Sequence, residues 1–200
     1  MSALALSNIV LWLVVIALLL VVLALTRQVG VLHERIAPAG ALVLGKGPAL
    51  GQAAPVVEVA DLDGRVLHPG EARSDGRSLL LLFVSPTCPV CKALMPAVRS
   101  ARSGETGWLE VVLASDGDTP EAHRRYREEH GLAEVPYVVS TALGLTYQVS
   151  RLPHAYLVDE AGVLRARGLV NSREHLESLF EARRLGVTSL QEYFARAGSH

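Results

Sequence analysis

Cysteine is scarce in this chain, with two among 200 residues, and charge of either sign is not in excess: 19 Lys and Arg stand against 20 Asp and Glu, for a net charge of −1. A secreted module stapled by disulfides would carry more cysteines, so the domain must be held by its core. A phosphate-binding surface is expected to be distinctly basic, so the charge gives no reason to expect nucleic acid as a partner. A structural zinc site needs four ligands, such as a second Cys pair or two His beside the first pair. The seven His (His33, His68, His123, His130, His154, His175 and His200) are scattered, with no pair grouped near the thiols. No metal is expected.

Charge is also missing from the front of the chain, where no charged side chain precedes Arg27. Ile9 to Leu25 is an unbroken apolar block, and Ala3 to Leu6 extend it. Together they reach the ~20 residues that cross a ~30 Å hydrocarbon core. A cleaved signal peptide fits less well. It would carry a basic residue before an apolar stretch of about 7–15 residues, and the nearest small-x-small site, Ala37-Pro38-Ala39, lies far downstream and contains a proline. The expected organisation is an anchor over 1–26 in the lipid bilayer, a connector over 27–52, a domain over 53–190 and a tail over 191–200. The connector opens with a short amphipathic helix, Val29 to Ile36, and breaks at Pro38; His33 belongs to its polar face beside Glu34 and Arg35. Arg27 and Arg35 follow the span and nothing basic precedes it. Read alone, the positive-inside rule keeps the domain cytoplasmic, although Glu34 offsets part of that bias.

From Val56 the pattern becomes that of a folded domain. "VVEVADLDGRVLHPG" reads as a hairpin turned by Asp-Gly. "SLLLLFVS" (Ser78 to Ser85) suits a strand buried on both faces. "KALMPAVRSAR" has helical spacing with Pro96 inside it, and "WLEVVLAS" (Trp108 to Ser115) is a further strand. Thr119 caps a polar helix that has Pro120 at its first position and stops at Gly131. "PHAYLVDEAGVLRARG" gives two strands around a turn at Asp159 to Gly162. The last helix is capped by Ser172 and ended by Gly186. The order β-β, β-α, β-α, β-β-α implies an α/β fold, a central mixed sheet with helices on both faces.

Both cysteines lie in "SPTCPVC", where the buried strand gives way to a helix. Cys88 falls at the helix N-terminus, where unsatisfied N–H groups favour a thiolate over a thiol. Cys91, one turn on, faces the same side. A permanent bridge across so short a loop would constrain the unfolded chain little, so reversible exchange is the better reading. The only redox group needed is the Cys88–Cys91 disulfide itself, with no added cofactor.

With the β-α order, the C-x-x-C, Pro96 and Pro153 resemble the thioredoxin-like fold over roughly Ala53 to Arg184. The resemblance implies that Cys88 is the attacking thiol and Cys91 the resolving thiol. It also implies that Thr87, Pro89 and Val90 shape the active-site loop and that Leu152-Pro153 is the cis-proline element beside the substrate groove. There are departures. Thr87 replaces a common Trp, and Leu82 stands where thioredoxin keeps a buried acid. His154 stands where Thr is common, as either a modulator of the thiols or a flank of the groove. The apolar span, "RQVGVLHERIAPAGAL" (Arg27 to Leu42) and "SPTCPVC" are together similar to the MauD family of methylamine utilisation proteins. That similarity implies a thiol–disulfide oxidoreductase anchored in the inner membrane and facing the periplasm, an oxidising compartment. Its implied client is the disulfide-rich small subunit of methylamine dehydrogenase, whose disulfide formation or isomerisation it assists, and it implies a membrane electron-transfer partner. Alternatives remain: a thioredoxin-like reductant in cytochrome c maturation, a non-catalytic scaffold that binds a client strand, or a peroxidase. "GQAAPVVEVADLDG" resembles the opening of peroxiredoxins, but their peroxide-binding segment, a Pro followed by Thr/Ser-x-x-Cys, is not reproduced around Cys88.

Overall fold

The structure, a computed structural model, describes residues 2–35 and 47–185. The break at Pro38, the stop at Gly186 and the tail over 191–200 lie outside the described residues. The chain divides into two compact units, Met1–Leu44 and Gly45–His200.

The first unit contains α1 (Ser2–Arg35), one helix. The expected separate helix from Val29 is its continuation, because no proline intervenes before Pro38. Its stretch Ala5–Val22 is long and apolar enough to cross a membrane, and none of it is buried within the protein.

The second unit opens with a hairpin of two short strands, β1 (Val59–Ala60) and β2 (Val66–Leu67). The Asp61 carboxylate closes its turn by accepting the N–H groups of Asp63 and Arg65. Gly64 takes φ of +81°, a left-handed conformation that favours glycine. The main sheet is built from β3 (Ser78–Phe83), β4 (Leu109–Ser115), β5 (Tyr137–Val139), β6 (His154–Val158) and β7 (Leu164–Leu169), in the order β5-β4-β3-β6-β7. β3 pairs parallel with β4 and antiparallel with β6. The helices are α2 (Pro89–Gly104), α3 (Pro120–Glu129), α4 (Thr141–Thr146) and α5 (Arg173–Leu185).

β3 is central because its leucines supply both cores. Leu80, Leu82 and Val84 join Cys91, Leu94 and Met95 of α2 on one face. Leu79, Leu81 and Phe83 join Leu143 and Tyr147 on the other. Strand side chains alternate between faces, and burying each leucine contributes roughly 1.5–3 kcal/mol. The caps of α3 are as expected: Thr119 accepts the Ala122 N–H at 3.3 Å, and Gly131 takes φ of +66° just past the end. The Asp159 to Gly162 turn closes through Gly162 N–H to Asp159 O at 3.0 Å.

The sequence pattern did not reveal β5 and α4. β5 has three residues and is held by pairing with β4. α4 has six residues and starts on the Ser140 side chain, which accepts the Leu143 N–H at 3.2 Å. Neither is long enough to display a period.

Candidate active site

The site forms where β3 runs out. The Val84 N–H still bonds Ala114 O, and the chain then turns, with the Cys88 N–H donating to Ser85 O at 3.1 Å. The Ser85 hydroxyl accepts the Thr87 N–H at 3.2 Å and lies 2.9 Å from the Thr87 hydroxyl. The turn delivers Cys88 in extended conformation (φ −85°, ψ 114°) as the N-cap of α2, with Pro89 in the first turn. The Cys88 sulfur accepts the Cys91 N–H at 3.2 Å. A cap acceptor satisfies one of the unpaired N–H groups of a helix start, and here that acceptor is a sulfur.

Both cysteines are unbridged, and their surroundings differ. Cys91 is 0 % exposed, whereas Cys88 is half-buried. Burial, followed by the hydrogen bond to Cys88, pushes the Cys91 thiol up to about 12. Thr87, Pro89 and Val90 are exposed around the half-buried sulfur. The pair therefore offers one sulfur that a large reagent can reach and a second behind it.

The Leu152-Pro153 bond is cis. Pro153 is buried, and its C=O accepts the Val170 N–H at 3.1 Å. Leu152 packs against the core cluster that contains Cys91, as Cys88 does, and also touches the cluster on the far face. Among the described residues the main-chain N–H and C=O of Leu152 have no partner. Beside Leu152 a cavity of about 250 Å³ opens, lined by Phe83, Ser115, Asp116, Ser140 and Leu145.

His154 is not grouped with the thiols. Its ring stacks on Tyr156 (centroids 4.8 Å apart), a residue of the core on the sheet face opposite Cys91. Burial first, then the charge of Arg167, lowers its pKa to about 4. Adjacent residues of a strand point to opposite faces, so following Pro153 in sequence does not bring the ring to the sulfurs.

Sequence reasoning passed over a polar layer beneath Cys91. α3 buries His123 and Tyr126, and the His130 ring lies 4.6 Å from Tyr126. His123 Nε2 lies 2.8 Å from Gly117 O and Nδ1 lies 3.0 Å from the Tyr137 hydroxyl. The signal was present in "TPEAHRRYREEHG", where positions 123, 126 and 130 share one helical face, but the polarity of the helix concealed an inward side.

Comparisons with known proteins agree with this layout. Residues 50–167 match the AhpC/TSA family model. Methylamine utilization protein MauD of Paracoccus denitrificans is 48 % identical over 194 residues, covering 97 % of this chain and 96 % of that protein. The protein of the same name from Methylorubrum extorquens is 43 % identical over 201 residues, covering 100 % and 97 %. Among solved structures, the thioredoxin domain of a thiol-disulfide oxidoreductase from Bacteroides vulgatus superposes with a TM-score of 0.55 at 20 % identity, covering 67 % of this chain and 96 % of that one. A secreted Mycobacterium tuberculosis disulfide oxidoreductase gives 0.53 at 17 % identity, covering 63 % and 95 %. These likenesses establish the thioredoxin-like fold. By its match to the family model and its near full-length identity to these relatives, the chain belongs to the AhpC/TSA family and to the methylamine utilization proteins MauD.

Proposed function

We propose that this protein is a membrane-anchored thiol–disulfide oxidoreductase of the periplasm, and that it acts on disulfides of the small subunit of methylamine dehydrogenase during maturation. The observation that carries the chemistry is the unequal pair: the reachable Cys88 sulfur takes the Cys91 N–H, while Cys91 lies buried behind it. The Cys88 thiolate attacks a client disulfide, forming a Cys88–client bond and releasing one client thiolate, which takes a proton. Cys91 then gives up its proton, attacks Cys88, and frees the second client sulfur as the Cys88–Cys91 bridge forms. Two electrons pass to the client, so a membrane electron-transfer partner must restore the dithiol; client oxidation runs the same steps in reverse. Leu152 supports the client side of this reading, because its unpartnered main chain can pair with an extended peptide, and its side chain packs on the same core cluster as Cys88. The name shared by the relatives supports methylamine utilisation as the setting, and the apolar α1 supports the anchor.

Trapping tests the assignment. Cys91→Ser in cells expressing methylamine dehydrogenase is expected to accumulate a mixed disulfide between Cys88 and the small subunit, visible on non-reducing gels and by peptide mass. Capture only through Cys91, in the reciprocal Cys88→Ser variant, would reverse the roles. The family match to AhpC/TSA favours peroxide reduction as a second reading. Peroxide consumption that continues without any protein disulfide, and is lost in Cys88→Ser, would select it.

A further inference from the structure

A tyrosine hydroxyl taken out of water without a partner destabilises a fold, and such groups are rare enough to call for a reason. α3 carries one. Tyr126 is 2 % exposed, and its hydroxyl is buried with no hydrogen-bond partner among the described residues. It lies in the same core cluster as Cys91, Met95 and Tyr137. Burial, then negative charge on Cys91, Tyr137 and Cys88, opposes its ionisation. It therefore keeps its proton and remains a donor in the core cluster that holds Cys91.

Of the other groups facing this region, His130 Nδ1 is likewise buried without a partner among the described residues, and the rest are committed or apolar. On β5, the Tyr137 hydroxyl meets His123: Gly117 O can only accept, so His123 Nε2 carries the ring proton, and Nδ1 then accepts from Tyr137 at 3.0 Å. β3 contributes Leu80, Leu82 and Val84, and β6 contributes Ala155. Cys88 caps α2, whose Lys92 and Arg99 line a cavity with Met95, Glu129 and His130, and the His130 ring, at the end of α3, packs against Tyr126 itself. Tyr126 is thus the one uncommitted hydroxyl in this cluster among the described residues.

We propose that the Tyr126 hydroxyl is a hydrogen-bond donor held in reserve for the Cys91 sulfur at the stage when that sulfur carries negative charge. The inference rests on the exchange reading above and adds to it a group that eases the second step. In the mixed disulfide, Cys91 loses its proton to water and attacks the Cys88 sulfur. The Cys88–client S–S bond breaks, the Cys88–Cys91 bond forms, and the client thiolate takes a proton from solvent. Tyr126 keeps its own proton throughout and stabilises the Cys91 thiolate by donation. In the reverse direction Cys91 is the leaving thiolate, and the same donor serves it.

The test is Tyr126→Phe in the full-length protein in detergent, reduced and then mixed with glutathione disulfide. Quenched samples are weighed by mass spectrometry to follow the Cys88–glutathione adduct. The expected result is adduct decay about tenfold slower at neutral pH, the effect of losing one hydrogen bond to a charged group. The pH profile of decay should move to higher pH, while adduct formation stays unchanged and the unfolding midpoint is not lowered. Decay with the parental rate and pH profile would overturn the inference, as would a joint fall in formation, decay and unfolding midpoint, which marks a packing role. If the parent protein forms no adduct on Cys88, the exchange reading itself fails, and this inference with it.

Discussion

Burial pushes Cys91 up to about 12, against 9.0 for a free thiol, and this has a kinetic and a thermodynamic consequence. The rate of mixed-disulfide resolution should climb by about tenfold per pH unit through the neutral and mildly alkaline range, because only the thiolate attacks. Iodoacetamide at pH 7 should label Cys88 and spare Cys91 in the folded protein; equal labelling of both would contradict the burial. A folded pKa above the unfolded one means that stability is fully present below about 9 and is lost as pH rises toward 12. His154 has the opposite sign. Its folded pKa of about 4 lies below the ordinary 6.5, so the unfolded chain binds the proton first and stability drops as pH falls from 6.5 to 4. His154→Phe, which retains a ring against Tyr156, should flatten that limb of the stability curve in urea titrations at stepped pH. It should leave thiol exchange unchanged, because the ring lies on the face away from Cys91.

Elements position the sulfurs, and β3 bears most of that load. Leu80 is 0 % exposed between two neighbouring strands, and Leu80→Ala should cost roughly 2–5 kcal/mol, read as a lower denaturant midpoint. A variant within 1 kcal/mol of the parent would show that the strand is not the centre of the core. α3 holds Tyr126 in place from a capped start, and Thr119→Ala should cost about 1 kcal/mol. The hairpin is clipped to the same helix by Arg127, whose guanidinium donates to Asp63 at 2.8 and 3.0 Å and to Val135 O at 3.3 Å. The Arg127 guanidinium holds the Asp63 carboxyl near 2, so the clip persists in mild acid and opens only as pH falls from 3.8 toward 2.

For the molecule as a whole, the apolar helix α1 and the two cysteines reside in separate compact units. Removing residues 1–44 should move the protein from the membrane fraction to the soluble fraction and leave the reduction of glutathione disulfide unchanged per molecule. Fractionation and the same thiol assay measure both. Loss of thiol activity on truncation would mean that the second unit depends on the first. Re-reduction by the proposed membrane electron-transfer partner should slow in that variant even with intact thiols, because tethering raises effective concentration.

Much of this was legible in order along the chain. The all-apolar front, the leucine run of β3, the turn residues Gly64, Gly131 and Gly162, and the Cys88-Pro89-Val90-Cys91 spacing each act through neighbours a few residues away, and one-dimensional patterns record such interactions. The family resemblance extended that reading to the Leu152-Pro153 bond. The polar layer of His123, Tyr126 and Tyr137 was not legible, because it exists only where α3 and β5 fold under α2 from distant parts of the chain. Nor was the placement of His154: strand alternation turns one residue toward the thiol face and the next away from it, and only the pairing of β6 with β3 decides which. The sequence by itself determined which atoms can do the chemistry. The tertiary structure decided which sulfur is buried, which unpartnered hydroxyl shares its core, and which histidine packs on the opposite face, since burial and charge depend on distances across the core rather than along the chain.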